Sequence, residues 1–463
     1  MHQLIPQSLR YGLSVSVLAL FGACAASPAP QPNPPAATLP APVEVSASTS
    51  TDEAADAPPP ASVEVASLPS PQPPVFASSG HPVLDAWRAD FAKRAVSEGR
   101  DPQLVESLLS GIGPLEAFLP KTVPDRGTQS DAANQAEFAK PIWEYVDSAV
   151  SQSRRQNGTR YVRDMRELLD ELELNFAVDK EAIVAIWAME TNFGGYIGDF
   201  DGPETLANMA AEGRRRSLAE RELHAMMTII ERGEARREDL ISGWAGAMGQ
   251  TQFMPSVYLS RAVDWDGDGF KDVWNSKADA LASAANYLAL AGYNKDEAWG
   301  TEVTLPDNFD YTLSDGQFRR VSEWKSLGVS VPASIAEGVS DSMGGRLWLP
   351  AGASGPKFLL FNNFDVFLNY NRANAYAFSV GLLTDVFAAR PGIQASWPRG
   401  DAPLTRDEIK QMQAALNDKG YPAGPVDGIA GSGTRRALQN FQRDKGLIAD
   451  GYPSKAVLPY VIG

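Results

Sequence analysis

The first group in this sequence that could do acid–base chemistry is the carboxylate of Glu190. It lies in residues 179–195, a stretch that is apolar on most sides and predicts a largely buried helix. Asp179 is expected to cap the helix start by accepting a backbone N–H, and Gly194 and Gly195 are expected to end the helix. Burial and the negative end of the helix dipole both raise the pKa of a carboxyl group, which would make Glu190 a general acid. The alternative is an ordinary carboxylate that pairs with an arginine or points to solvent.

A second group is a loop of small residues, 243–256, that contains two glutamines. Glycine lets a backbone approach a ligand or another part of the chain closely. The amides of Gln250 and Gln252 both donate and accept hydrogen bonds, which suits the hydroxyl and acetamido groups of sugars. Tyrosine and asparagine also occur together, at 286–287 and 369–376, where rings would stack on sugar faces. The alternatives are a tight structural loop and helix packing with satisfied tyrosine hydroxyls.

A third group is the dense acidic pattern of residues 264–272. Carboxylates stand at positions 1, 3, 5 and 9, and Gly269 at position 6 allows the sharp turn of an EF-hand loop. Position 12 is Asn275 instead of the usual glutamate, so Asp279 would close the site if the loop is longer than normal. The alternative is a plain acidic turn. The predicted ion is Ca²⁺ in a structural role, bound by the carboxylates of Asp264, Asp266, Asp268, Asp272 and Asp279 and by the backbone carbonyl of Phe270.

Length and composition bound the class of protein. The 463 residues suggest about three domains, and 44% hydrophobic residues are enough for a sizeable core. The net charge of -16 argues against a nucleic-acid partner, which would need a basic face for the phosphates. The single cysteine, Cys24, excludes an intramolecular disulfide and a cysteine-based zinc site, and three histidines argue against a His-rich metal centre.

The N-terminal residues 1–24 are typical of an export signal. Residues 13–21 form an apolar run that is too short to span a membrane. The run is followed by Gly-Ala and then Cys24, which resembles a bacterial lipoprotein signal in which Cys24 is lipidated and becomes the mature N-terminus. The alternative is an ordinary cleaved signal, and either reading predicts an exported protein.

The rest of the chain divides by composition and periodicity. Residues 25–80 are rich in proline and poor in large apolar residues, which predicts a disordered, extended tether. From 81 to 392 helical periodicity dominates, apart from a β-like stretch at 300–361, so the expected fold class is mainly α, α+β. Residues 393–403 form a short linker, and residues 404–463 form a small helical unit that is too short to be an enzyme by itself.

Taken together, these motifs resemble the membrane-bound lytic murein transglycosylase B family over residues 83–392. The matching pieces, in the family's order, are the Met-Glu-Thr-Asn-Phe-Gly motif at 189–194, residues 246–256, the acidic loop, residues 285–287 and residues 363–371. The tail from 404 to 460 resembles the type 1 peptidoglycan-binding domain. The resemblance implies a lysozyme-like catalytic domain flanked by a helical one, followed by a three-helix module.

The resemblance also implies roles for individual residues. Glu190 matches the family's catalytic acid. The implied glycan-binding residues are Gln252, Tyr287, Tyr370, Asn371, Tyr376 and Tyr145. The family has a Ca²⁺ loop of EF-hand type, which is matched directly by Asp264, Asp266, Asp268 and Asp272 and, across a one-residue insertion, by Asp279.

The family reaction is non-hydrolytic cleavage of the β-1,4 bond between N-acetylmuramic acid and N-acetylglucosamine, with formation of 1,6-anhydromuramic ends. It needs one carboxylate, whereas most glycosidases need two. The alternatives are a hydrolytic muramidase and a non-catalytic wall-binding protein. The implied partners are peptidoglycan strands, a membrane held through lipidated Cys24, and cell-wall synthesis or division proteins. The expected location is the periplasm, anchored to the outer membrane.

Overall fold

The computed structural model describes residues 71–119 and 141–463. The predicted signal peptide with Cys24 and the predicted tether up to residue 70 lie outside the described residues. Residues 76–79, which the sequence places in the tether, contact the first helix, where Arg88 donates a hydrogen bond to the carbonyl of Ala77 at 2.6 Å. No helix within the two described ranges is long and apolar enough to cross a membrane.

Helices make up most of the regular secondary structure in the described residues, as the periodicity predicts. They are α1 (Pro82–Ser97), α2 (Pro102–Leu109), α3 (Ile142–Ala149), α4 (Gln152–Asp164), α5 (Arg166–Phe176), α6 (Lys180–Thr191), α7 (Gly202–Glu212), α8 (Arg216–Glu231), α9 (Pro255–Arg261), α10 (Lys277–Leu290), α11 (Val321–Ser326), α12 (Asn362–Tyr370), α13 (Asn374–Phe387), α14 (Arg406–Asp418), α15 (Ser432–Asp444) and α16 (Leu458–Ile462). Short 3-10 helices cover Arg237–Asp239, Tyr311–Leu313 and Ala333–Ile335.

Two small antiparallel sheets accompany the helices. The strands are β1 (Phe200–Asp201), β2 (Ile241–Ser242), β3 (Gly300–Glu302), β4 (Arg319–Arg320), β5 (Gly344–Trp348) and β6 (Phe358–Leu360). β1 pairs with β2, and the other four form one sheet in the order β3-β6-β5-β4. This larger sheet lies within the stretch 300–361, where the sequence predicts β structure.

The helix α6 is buried on most sides, as its sequence predicts. Ile183, Val184 and Ile186 are fully buried. The prediction that Asp179 caps this helix is wrong, because its side chain makes no cap bond. Instead the Asp179 carboxylate accepts a hydrogen bond from the hydroxyl of Tyr293 at 2.8 Å. A long-range partner has therefore displaced a local cap.

The end of α6 also differs in detail from the prediction. The left-handed residues are Asn192, Phe193 and Gly194, with φ of 49°, 65° and 74°, and Gly195 is not among them. At Gly194 a Cβ atom would lie 2.4 Å from Oε1 of Gln250. Two reasons therefore favour glycine at position 194: the backbone has a positive φ, and a side chain would occupy the space that Gln250 fills.

Two large apolar cores meet next to α6. The first packs α6 against α4, α10, α12 and α13, and the second joins α1, α2, α7, α8 and α9 with the loop of small residues. The ring of Tyr370 packs against both cores, which places the end of α12 at their junction. The four-stranded sheet and the C-terminal helices have smaller cores of their own.

The segment that the sequence predicts as a linker runs along the surface of the domain that precedes it. The carboxylate of Glu302 accepts the backbone N–H groups of Gln394 and Ala395 at 2.6 and 2.8 Å. The ring of Trp397 lies 6.1 Å from that of Trp143. The C-terminal helices α14, α15 and α16 follow, and the carboxylate of Asp450 beyond α15 accepts the backbone N–H of Ala353 at 2.8 Å.

Candidate active site

Glu190 lies in the last turn of α6 and keeps 9% of its surface exposed. Its Oε1 accepts a hydrogen bond from the hydroxyl of Tyr376, on α13, at 2.5 Å. Burial raises the pKa of Glu190 to about 8, and the hydrogen bond from Tyr376 opposes this rise. Near neutral pH the carboxyl group is therefore mostly protonated, and it is open enough to hand its proton to a bound group.

Three of the sequence-predicted binding tyrosines lie near enough to this carboxyl group for its charge to act on them. Burial, and to a smaller extent the charge of Glu190, raise the pKa of Tyr287, Tyr370 and Tyr376. A charge has this effect only at short range, so the three phenols lie close to Glu190. Their raised pKa keeps all three hydroxyls protonated, and Tyr376 remains a donor when Glu190 is ionised.

Two of these tyrosines also have structural hydrogen bonds. The hydroxyl of Tyr287 donates to the carbonyl of Asn369, and that of Tyr370 donates to the carbonyl of Thr251, each at 2.7 Å. The two ring centroids lie 4.7 Å apart, and both rings pack on Phe253 at 5.8 and 5.9 Å. Their faces, more than their hydroxyls, are therefore available to a sugar ring.

Tyr145 and Asn371 complete the predicted set of glycan-binding residues. Tyr145, on α3, is half-buried and lies close enough to Tyr376 to contribute to the raised pKa of that phenol. Asn371 directly follows α12 and is buried next to Tyr370. The structure therefore brings both residues to the neighbourhood of Glu190.

The two glutamines of the loop of small residues have different positions. The Gln252 side chain is half-buried, and its Nε2 donates to the carbonyls of Gly249 and Ile197 at 2.9 and 3.2 Å. Its Oε1 can accept a hydrogen bond from a ligand, since no residue in the described part of the chain donates to that atom. Gln250 is only 4% exposed, and both ends of its amide are bonded inside the protein. Gln252 therefore fits a sugar-binding role and Gln250 does not.

Three carboxylates of the acidic loop converge, as the EF-hand pattern predicts. One oxygen from each of Asp264, Asp266 and Asp268 lies within 4.8 Å of the others. The Asp264 carboxylate also accepts the N–H groups of Gly267 and Gly269 at 2.8 and 2.9 Å, which curls the loop around it. Converging carboxylate oxygens from alternate residues suit a hard divalent cation.

The two remaining carboxylates of the predicted metal site accept backbone N–H groups from the loop and from the residues that follow it. Asp279 is fully buried and accepts the backbone N–H groups of Trp265 and Asp272, both at 2.8 Å. Asp272 accepts the N–H groups of Trp274 and Asn275 at 3.1 and 2.9 Å. Both carboxylates lie outside the converging group formed by the described residues.

One carboxyl group, Glu190, stands out in the part of the site that the structure describes. In the part of the chain that the structure describes, only burial and the Tyr376 hydroxyl perturb the pKa of Glu190, and no other carboxylate does. Most glycosidases place two carboxylates within about 10 Å of each other on either side of the scissile bond. The lack of a second carboxylate acting on Glu190 among the described residues fits chemistry in which one group serves first as acid and then as base.

Sequence comparison assigns the chain to a known group of proteins. The family described as the transglycosylase SLT domain matches residues 84–385. The chain belongs to this family. The putative peptidoglycan binding domain family matches residues 405–458 of the same transglycosylase. These matches confirm the predicted catalytic family and the predicted C-terminal module.

Known relatives of this transglycosylase include membrane-bound lytic murein transglycosylase B of Escherichia coli (strain K12), which is 26% identical over 305 residues, 64% of this chain and 81% of that protein. The crystal structure of SltB3 from Pseudomonas aeruginosa in complex with NAG-anhNAM-pentapeptide has a TM-score of 0.74 and 37% identity, covering 82% of this chain and 99% of that chain. The Escherichia coli lytic transglycosylase Slt35 in complex with calcium has a TM-score of 0.53 and 23% identity, covering 67% and 93%, and shows the shared fold.

The sequence did not reveal one group of hydrogen bonds next to the carboxyl group of Glu190. The hydroxyl of Thr191 donates to the backbone carbonyl of Gln250 at 3.0 Å, and the indole N–H of Trp187 donates to the Gln250 side chain, also at 3.0 Å. One signal was available in the sequence. A helix that is expected to be buried contains a threonine hydroxyl and an indole N–H, and buried donors need hydrogen-bond acceptors elsewhere in the chain.

Proposed function

We propose that this transglycosylase cleaves the β-1,4 bond between N-acetylmuramic acid and N-acetylglucosamine in peptidoglycan and leaves 1,6-anhydromuramic ends, with Glu190 as its only catalytic carboxyl group. The observation that carries the mechanism is the buried Glu190 with a pKa of about 8, bonded to a tyrosine hydroxyl and shifted by no second acid in the described residues. Such a group suits a reaction in which the same oxygen gives up a proton and later takes one.

In the first step Glu190 donates its proton to the glycosidic oxygen, and the bond to the anomeric carbon breaks. The leaving sugar departs as an alcohol, and positive charge develops on the muramoyl ring. Glu190 is now a carboxylate in a buried site, and its charge is stabilised by the hydrogen bond from Tyr376, whose raised pKa keeps it a donor. The new carboxylate also lies near the developing positive charge, which it stabilises electrostatically.

In the second step the muramoyl 6-hydroxyl attacks the anomeric carbon, and Glu190 accepts the hydroxyl proton. This step closes the 1,6-anhydro ring and regenerates the protonated acid, so no water enters the product. The high pKa of Glu190 makes it a stronger base than an ordinary glutamate, which helps proton removal from an alcohol. A hydrolytic muramidase is the second candidate, and it differs only in using water as the nucleophile.

For glycan binding we propose the residues that flank Glu190. The rings of Tyr287 and Tyr370 would stack on sugar faces, since their hydroxyls are bonded to backbone carbonyls. Oε1 of Gln252 would accept a hydrogen bond from a sugar hydroxyl. The other members of the proposed set are Tyr376, Asn371 and Tyr145.

We propose Ca²⁺ as a structural ion at the acidic loop. Asp264, Asp266 and Asp268 would hold it, with the Phe270 carbonyl and the carboxylates of Asp272 and Asp279 as the remaining predicted ligands. A bound cation would supply the positive charge that neutralises these carboxylates. The ion would take no part in the proton transfers, which the residues around Glu190 perform.

For the cellular setting we propose the periplasm, with peptidoglycan strands as the partner of the C-terminal module and a lipid on Cys24 as an anchor to the outer membrane. Cell-wall synthesis or division proteins are further proposed partners. These proposals rest on the predicted signal at residues 1–24 and on the family of the C-terminal module.

The proposed role of Glu190 is tested with Glu190→Gln on purified sacculi. Glutamine keeps the shape of the side chain but cannot give up a proton, so turnover should be lost while binding to sacculi is kept. The matched control is Glu181→Gln, which changes a half-buried glutamate in the first turn of the same helix and should retain activity. Normal turnover by Glu190→Gln would exclude the assignment.

A further inference from the structure

The side chain of Gln250 connects the catalytic helix α6 to the segment that follows the acidic loop. Its Oε1 accepts the indole N–H of Trp187, on α6, at 3.0 Å. Its Nε2 donates to the backbone carbonyl of Trp274 at 3.2 Å. With 4% of its surface exposed, the amide is enclosed by protein and has no face to offer a glycan.

The backbone of Gln250 repeats the same connection. Its carbonyl accepts the hydroxyl of Thr191, on α6, at 3.0 Å, and its N–H donates to the carbonyl of Val273 at 2.8 Å. One residue therefore makes two hydrogen bonds to α6 and two to residues 273–274. The neighbouring Gly249 permits this contact, because a Cβ there would lie 2.7 Å from the Val273 carbonyl.

The two bonds to α6 bracket the catalytic carboxyl group. Trp187 lies three residues before Glu190, and Thr191 lies immediately after it. From the other side Glu190 is held by the hydroxyl of Tyr376. Gly194 fits against the Gln250 amide as the chain leaves the helix. The position of the last turn of α6 is thus fixed between α13 and Gln250.

We infer that Gln250 is a positioning residue, which holds the last turn of α6 against residues 273–274 so that Glu190 reaches the glycosidic oxygen. This inference rests on the proposed function of Glu190. Misplacing a catalytic group by about 1 Å lowers the rate about a hundredfold, and a buried residue with four hydrogen-bonded neighbours resists such movement. Since Gln250 touches no substrate, its loss should lower kcat and leave substrate binding nearly unchanged.

The decisive variant is Gln250→Met, which keeps a similar volume and removes both side-chain hydrogen bonds. We expect kcat on sacculi to fall by about tenfold or more while KM changes by less than about twofold. The indole N–H resonance of Trp187, assigned by its loss in Trp187→Phe, should shift and exchange faster with solvent. The control is Gln317→Met, which makes the same substitution at an exposed glutamine outside this hydrogen-bond network and should change neither quantity.

Thr191→Val serves as the second variant, because it removes the hydroxyl that donates to the Gln250 carbonyl and accepts the Gly194 N–H, and it leaves the Gln250 amide in place. It should also lower kcat with little change in KM, and it decides the question alone if Gln250→Met does not fold. Unchanged kcat in the folded variants, or a rise in KM alone, would overturn the inference. Absence of anhydro products from the wild-type enzyme would instead refute the proposed function, while the Trp187 resonance still reports the hydrogen bond.

Discussion

The hydroxyl of Tyr376 donates a hydrogen bond to the carboxyl group of Glu190 at 2.5 Å, although the two residues are 186 positions apart. Their helices, α6 and α13, pack side by side in the largest core. The bond and the burial act on the pKa of Glu190 in opposite directions, and burial is the larger effect. In the proposed mechanism, the pair sets both the protonation state in which the reaction starts and the stability of the carboxylate that forms after the first proton transfer.

Glu190→Gln should stabilise the fold, and the gain should grow with pH. In the wild-type enzyme the pKa rises from 4.5 in a free glutamate to about 8 on folding. At pH values between these two pKa values, Glu190 is protonated in the folded state and ionised in the unfolded state. The free energy of unfolding of the wild type therefore falls as the pH rises. Glutamine does not titrate, so the variant does not lose stability in this way. The free energy of unfolding of the variant relative to wild type should increase by at most about 4 kcal/mol between pH 4 and pH 8. Urea unfolding at several pH values measures it, and a pH-independent difference would contradict the raised pKa.

Tyr376→Phe should raise the pKa of Glu190 further and lower kcat. The tyrosine hydroxyl lowers the pKa of Glu190 and supports its carboxylate, so its removal shifts the high-pH limb of the pH–rate profile upward. Loss of a hydrogen bond to a charged group costs about 1.5–3 kcal/mol, which corresponds to roughly a tenfold to hundredfold lower kcat. Tyr293→Phe is the control, since that hydroxyl bonds to Asp179 at the opposite end of α6. An unmoved pH profile in Tyr376→Phe would argue against the pairing.

Gly194→Ala should destabilise the protein more than Gly213→Ala does. Both glycines have positive φ, 74° and 102°, so both substitutions carry a conformational cost of about 1 kcal/mol. A Cβ at Gly194 would meet Gln250 at 2.4 Å, whereas at Gly213 it meets nothing within 4 Å. Overpacking should add about 1–3 kcal/mol to the first variant alone. Chemical denaturation of both variants measures the difference, and equal losses would refute the close contact.

Calcium should stabilise the protein through the acidic loop. A ligand that binds only the folded state at about 100 times its Kd adds about 2.7 kcal/mol to the free energy of unfolding. Asp266→Asn should weaken this effect because it removes one of the three converging carboxylates. Asp307→Asn, an exposed aspartate outside the loop, should leave the effect intact. Calorimetric titration with Ca²⁺ and thermal melts with and without chelator test the prediction, and equal responses in both variants would contradict it.

The sequence predicted those features that depend on neighbouring residues. The buried helix with Glu190 in its last turn follows from apolar periodicity, and the convergence of Asp264, Asp266 and Asp268 follows from the alternation of acids with a glycine. Both are confirmed by the structure. Local spacing also predicts that 300–361 forms strands, which is where the four-stranded sheet lies.

Features that depend on distant partners were not predictable in the same way. Asp179 has the position of a helix cap, but its carboxylate accepts a hydrogen bond from Tyr293, which is 114 residues away. Gln250 has the chemistry of a sugar ligand, but Trp187, 63 residues away, holds its amide inside the core. A single sequence gives residue types and local periodicity, whereas these hydrogen bonds are set by how separate helices and loops pack.

The most direct test of the central claim is the mass of the muropeptides released from purified sacculi in water enriched in ¹⁸O. If the 6-hydroxyl is the nucleophile, the products carry anhydromuramic ends, lack one water relative to hydrolysis products, and contain no ¹⁸O from the solvent. Reducing-end products that carry one solvent ¹⁸O would show that water attacks instead, and would make the enzyme a muramidase.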